Sequence, residues 1–138
     1  MTMTTTVHWD SGLAFRAEQD GHSLLLDASS EAGGQDRGPR PKALLLSALG
    51  ACTGIDVVSI LEKMRVKLDG LQVQVSAETR EEHPRIFTGI QVRYIFRGTD
   101  LPMDKLERAV KLSEVTYCGV SAMLRPAVPI TSVIEVEG

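Results

Sequence analysis

A chain of 138 residues with a formal net charge of −3, a pI near 5.6 and 43% hydrophobic against 24% charged residues is expected to be one globular domain, 1–138. The acidic balance lacks the basic footprint of a nucleic-acid-binding protein. The opening MTMTTTVHWD has neither the basic nor the apolar segment of an export signal, so a cytoplasmic location is expected.

From Thr4 to Ala28, apolar Val7, Trp9, Leu13, Phe15, Leu24 and Leu26 alternate loosely, with turn signals at Asp10-Ser11-Gly12 and Asp20-Gly21. This predicts two or three antiparallel strands joined by hairpins. Ser29 to Arg40 has no periodicity and contains Gly33, Gly34, Gly38 and Pro39, which predicts a loop that carries Arg37 and Arg40 toward the next element.

That element is Pro41 to Arg65, and the chain is organised around it. Apolar residues from Ala43 to Leu61 point in every direction around a 3.6-residue period, which predicts a helix buried on nearly all sides. Pro41 suits its first turn, Lys63 and Arg65 suit the negative end of its dipole, and Gly70 follows as a turn residue. Such a rod would be about 37 Å long, too long for one copy of this chain to cover, so a homodimer is expected. The uncharged run Ala43 to Ile55 is shorter than the roughly 18 residues of a bilayer crossing, so no membrane partner is expected.

Leu71 to Ala77 and Ile86 to Phe96 then alternate as two strands around the polar turn Glu81-Glu82-His83-Pro84. Asp100 or a neighbour can cap a second helix with Pro102 in its first turn, and a short third helix, about Glu114 to Leu124, carries Cys118. Ile130 to Val136 reads as a last strand, which makes the fold class α+β.

Cys52 and Cys118 form neither a CxxC motif nor a zinc-finger spacing, and His8, His22 and His83 are scattered, so no metal or other cofactor is expected. The common role of an isolated buried cysteine is a packed thiol. A reactive one needs a nearby cation, for which Arg16, Arg37, Arg40 and Arg125 are available. Asp56, one helical turn after Cys52, would oppose ionisation of the thiol unless neutralised, and is expected in an ion pair or hydrogen bond.

GPRPKALLLSALGACTGIDVVSILEKMR and, later, YCGVSAMLRPAVPI resemble the OsmC/Ohr family of osmotically inducible and organic hydroperoxide resistance proteins, in the subgroup with CxxIDVVSIL and YCxVSxML motifs. The resemblance implies antiparallel sheets around a long central helix in an intertwined homodimer with two sites at its interface. It also implies a thiol-dependent peroxidase acting on small-molecule hydroperoxides. Cys52 would attack the peroxide, Cys118 would resolve the sulfenic acid as a disulfide, and a dithiol would regenerate both. Arg16 is the positional counterpart of the family's catalytic arginine, with Arg40 and Asp56 as substrate-contacting residues. Where family peroxidases carry a glutamate after the helix-opening proline, this chain has Lys42. The alternative is an OsmC-like small-molecule-binding stress protein with little peroxidase activity.

Overall fold

The structure, a computed structural model, describes all residues from Met1 to Gly138. Two compact units are distinguished, Met1–Leu45 and Leu46–Gly138, and the boundary falls inside the long helix.

In the first unit the alternating segment forms three antiparallel strands, β1 (Thr6–Ser11), β2 (Ala14–Gln19) and β3 (His22–Leu26), in the order β1-β2-β3. Gly12 and Gly21 supply the positive φ of the two hairpins. Register places Val7, Ala17 and Leu24 in one cross-strand row and Trp9, Phe15 and Leu26 in the next, so one face of the sheet is apolar. Much of that face stays open, with Trp9 69% and Val7 53% exposed.

The loop after β3 is ordered by one carboxylate. Asp27, 2% exposed, accepts main-chain N–H bonds from Ala28 at 2.7 Å, Gln35 at 3.1 Å and Arg37 at 3.2 Å. Burial works against its ionised form, but the three N–H donors outweigh it and hold the carboxyl below its ordinary pKa. The loop lies so close to β3 that a Cβ on Gly38 would stand 2.0 Å from the Leu25 carbonyl oxygen. The segment expected to be irregular also holds a short 3₁₀ turn at Ser30–Ala32, capped by the Ser29 hydroxyl.

The long helix, α1 (Pro41–Lys63), starts at the expected proline and ends two residues earlier than its apolar pattern suggests. Arg65 takes a left-handed φ of 62°, its N–H reaches Glu62 O at 3.0 Å, and Val66 N–H reaches Leu61 O at 2.9 Å. This is a Schellman closure with arginine where glycine is usual, so the stop precedes Gly70.

In the second unit β4 (Gly70–Thr79) and β5 (Phe87–Arg97) form the expected antiparallel hairpin. The last strand, β6 (Ile130–Glu137), departs from an all-antiparallel arrangement: it pairs with β5 in parallel, Ile90 opposite Ile130 through Arg97 opposite Glu137. The physical reason is the connection. Between β5 and β6 come α2 (Met103–Leu112), a π turn (Ser113–Tyr117) and α3 (Gly119–Leu124), a helical crossover that returns the chain to run in the same direction. Pro102 stands at the N-cap of α2 and not in its first turn, its own ψ of 110° being extended, and no side chain of Asp100 or a neighbour caps the helix.

The core joins Leu49, Val57 and Leu61 of α1 to Ile90, Val92, Tyr94 and Phe96 of β5 and to Leu106, Ala109 and Val110 of α2. Only one stripe of α1, comprising Leu49, Gly50, Thr53, Val57 and Leu61, is buried, whereas Ile55 is 70% and Val58 47% exposed. The all-round burial expected from composition is therefore not reached within one chain. By length and composition α1 is also long and apolar enough to cross a bilayer, a test that the core helix of a globular protein passes equally.

Candidate functional site

Cys52 and Cys118 are brought together by a break between helices. After α2 the chain widens into the π turn, closed by the Cys118 N–H on the Ser113 carbonyl at 2.7 Å. Cys118 leaves helical geometry there, with φ −77° and ψ 102°, and becomes the N-cap of α3, its sulfur accepting the Ser121 N–H at 3.4 Å. The expected continuous helix from Glu114 to Leu124 is thus a π turn and a separate short helix, with Cys118 at the junction.

Cys118 is buried, and Cys52, half-buried on α1, lies near enough for each thiol to bear on the other's ionisation. The main chain at Val120, in the first turn of α3, also faces the Cys52 thiol and favours its ionised form. Burial pushes the Cys52 thiol above its ordinary pKa; the main chain at Val120 pulls it down, and Cys118 together with the charge of Asp56 pushes it up further. No cation is among these groups. A sulfenic acid formed on one of two neighbouring thiols can condense with the other to a disulfide.

Behind the thiols runs a chain of hydroxyls. Asp56 Oδ2 accepts from Ser113 Oγ at 2.9 Å, and Ser113 Oγ lies 2.8 Å from Thr53 Oγ1. Thr53 Oγ1 is 2.8 Å from the Tyr94 hydroxyl, which donates to Glu114 Oε2 at 3.0 Å. Thr53, Tyr94 and Ser113 are each 0% exposed, while the two carboxylates are half-buried. Burial, opposed by the Thr53 bond and reinforced by Glu114, drives the Tyr94 phenol well above its ordinary value. Asp56 is thus hydrogen-bonded within the chain, to Ser113. It also lines a cleft of about 410 Å³ with Ser59, Ile60, Lys63, Met64, Leu112 and Tyr117.

Thr53, Tyr94, Ser113 and Glu114 were not singled out in the sequence. The signal was there in Tyr94, which falls on the core register of β5 with Val92 and Phe96 and so brings a hydroxyl that must find a partner.

The arginines expected near Cys52 have these partners. Arg16 faces Glu18 at 3.4 Å, Arg37 binds Asp10 at 2.8 Å, and Arg40 binds Asp36 at 2.7 Å and the Gly38 carbonyl at 2.9 Å, all within the first unit. Arg125, in the second unit, donates to the main-chain carbonyl of Glu114 at 3.4 Å.

Two three-stranded sheets, a long apolar helix and a short helix that begins at Cys118 define an α+β protein. The chain belongs to the OsmC family: residues 33–133 match the family profile described as OsmC-like protein. It is 43% identical over 135 residues to protein YhfA of Escherichia coli K12, covering 97% of this chain and 98% of that one. A crystal structure of a hypothetical protein from Aquifex aeolicus VF5 superposes with a TM-score of 0.84 at 28% identity, over 100% of this chain and 99% of that one. The organic hydroperoxide resistance protein OhrB of Bacillus subtilis superposes with a TM-score of 0.63 at 21% identity, over 99% and 98% of the two chains, a likeness of fold.

Proposed function

We propose that this protein reduces organic hydroperoxides with its two thiols and works as a homodimer. The observation that supports the reading is that Cys52 of α1 and Cys118 at the start of α3 lie near each other, with the Ser121 N–H on the Cys118 sulfur. The Cys52 thiolate attacks the terminal peroxide oxygen, the O–O bond breaks, and an alkoxide leaves to take up a proton as an alcohol. The Cys118 thiol then displaces water from the Cys52 sulfenic acid to give a disulfide. A dithiol of small-molecule or protein origin returns both to thiols by exchange. Arg16 is proposed to stabilise the Cys52 thiolate, with Arg40 and Asp56 contacting substrate. For the two arginines this requires exchange of Glu18 and Asp36 for the site. The open apolar surfaces of α1 and of the first sheet support pairing of two copies, since patches of this kind seek a partner.

A second reading, binding of a small apolar or electrophilic molecule without rapid peroxide turnover, is favoured by one observation: burial, with Cys118 and Asp56 beside it, pushes Cys52 away from the thiolate. Stopped-flow mixing of reduced protein with cumene hydroperoxide separates the two. The peroxidase reading requires wild-type thiol consumption orders of magnitude faster than free cysteine, none in Cys52→Ser, and a sulfenic acid trapped on Cys52 in Cys118→Ser. A wild-type rate at the level of free cysteine leaves the binding reading.

A further inference from the structure

The hydroxyl chain behind the thiols is one proton short. Its four contacts, Asp56–Ser113, Ser113–Thr53, Thr53–Tyr94 and Tyr94–Glu114, all lie between 2.8 and 3.0 Å and each needs one bridging hydrogen. Ser113, Thr53 and Tyr94 supply one hydrogen each, and an ionised carboxylate supplies none. With both carboxylates ionised, one buried pair of oxygens would face each other at 2.8 Å with nothing between. The Ser113 hydroxyl has no better outlet, since the Thr53 carbonyl is 3.5 Å away. A hydrogen on either end completes the chain: from Asp56 all bonds run toward Glu114, and from Glu114 all run toward Asp56.

We propose that Asp56 and Glu114 share a single proton through the hydroxyls of Ser113, Thr53 and Tyr94, and that this chain delivers it to the Cys52 side of the site. Transfer is a relay in which Glu114 gives its proton to Tyr94, Tyr94 to Thr53, Thr53 to Ser113 and Ser113 to Asp56. Each hydroxyl gains one hydrogen and loses one, so only the two carboxylates change charge. The hydroxyls are sealed from water and the carboxylates are not, which is what a conducting path between two entry points requires. Around Asp56 stand Lys63, Tyr117 and the two cysteines. Around Glu114 stand Ser132, which donates to its other oxygen at 3.0 Å, and Arg125 on its main-chain carbonyl.

Resting on the peroxidase reading, the relay has two uses. Moving the proton to Asp56 removes the negative charge that opposes the Cys52 thiolate and leaves it at Glu114. The proton that Cys52 loses on becoming the thiolate passes to solvent; protonated Asp56 supplies the hydrogen that converts the departing alkoxide to an alcohol, and the chain takes one proton back from solvent at the Glu114 end, so that none is gained or lost over the step.

The test has a readout independent of peroxide. The infrared spectrum of the reduced wild type at neutral pH is expected to show the carbonyl stretch of one protonated carboxyl. Asp56→Asn and Glu114→Gln should each abolish it, because the new amide N–H supplies the missing hydrogen and leaves the other carboxylate ionised. Thr53→Val should abolish it too, by cutting the chain into Ser113–Asp56 and Tyr94–Glu114 pairs that are complete with both ends ionised. A wild type without the band, or a band that survives both amide substitutions, overturns the shared proton. For delivery, Thr53→Val should lose the solvent isotope effect on peroxide consumption and slow it roughly ten- to a hundredfold; an unchanged isotope effect and rate overturn the relay. A wild type that shows the band yet reacts no faster than free cysteine removes the peroxidase reading and leaves the shared proton standing.

Discussion

Ser113 Oγ lies 2.9 Å from Asp56 Oδ2 while its main-chain carbonyl receives the Cys118 N–H at 2.7 Å, so one residue ties the long helix to the turn that presents the second thiol. Removing the hydroxyl while keeping the backbone separates these roles. Ser113→Ala leaves Thr53 and Asp56 each short of a partner and is expected to cost about 2 kcal/mol, the scale of an orphaned buried polar group. Urea unfolding of the reduced protein measures it. Near-native stability would mean that water or a shifted hydroxyl replaces Ser113.

Cys52 reactivity should rise late with pH. Burial, then the contact with Cys118 and the charge of Asp56, hold the neutral thiol, so its alkylation by iodoacetamide should reach half-maximal rate above the ordinary thiol range. Asp56→Asn removes one of these causes and should move the profile to lower pH. A profile that moves the other way would show that Asp56 positions a cation over the sulfur and does not merely repel its charge. Cys118→Ser, followed in the same assay, isolates the contribution of the neighbouring thiol.

Two glycines should respond differently to alanine. At Gly38 the added Cβ meets the Leu25 carbonyl oxygen at 2.0 Å, a backbone clash that only movement of the loop or β3 can relieve; a loss of about 3 kcal/mol is expected. At Gly50 the Cβ meets Val75 Cγ2 at 3.0 Å, and a small yield of that side chain is offset by alanine's better helix propensity of about 1 kcal/mol. Thermal unfolding should place Gly50→Ala within a few degrees of wild type and Gly38→Ala far below it.

Much of this architecture was legible in residue order. Alternation located the β4–β5 hairpin and the last strand and left two or three strands for the first segment, where there are three; the apolar run and Pro41 marked the start of α1, because period and proline chemistry act locally. The direction of β6 was not legible, since alternation is the same for parallel and antiparallel strands and only the crossover decides. The break at Cys118 was hidden because Ser113–Tyr117 contains no glycine or proline, and a π turn differs from an α turn by one carbonyl's choice of partner. Both cysteines could be named in advance. The hydroxyls of Thr53 and Ser113 could not, because an isolated serine or threonine in a helix gives no sign of what lies across from it.

Acid should loosen the first unit through Asp27. Its pKa is depressed in the fold by three N–H donors working against burial. The stabilisation it gives is therefore fully present above the unfolded carboxylate value and is lost as pH falls through the folded one. Limited proteolysis of the Ser29–Arg40 loop should increase across that acid window in the wild type. Asp27→Asn should be cleaved readily at neutral pH and show little further change on acidification, because it has no charge to lose. Cleavage that rises with acid equally in both would assign the effect to another carboxylate.

The proposed homodimer can be tested separately from the fold of the chain by where a charge is placed on α1. Ile55 is 70% exposed within one chain and Leu49 is 0% exposed. A lysine at Leu49 puts an unpaired charge in the core of the second unit and should unfold the protein outright. A lysine at Ile55 disturbs nothing inside the chain, so any loss it causes reports on what covers that face. Sedimentation equilibrium of the wild type should give a dimer at micromolar concentration, with an interface larger than roughly 2,000 Å² and a melting temperature that rises with concentration. Ile55→Lys should weaken association by about a hundredfold or more, as expected for a charge placed in an apolar interface centre. A folded wild-type monomer at that concentration, or an Ile55→Lys dimer as tight as wild type, would show that the exposed stripe of α1 does not bind a second copy.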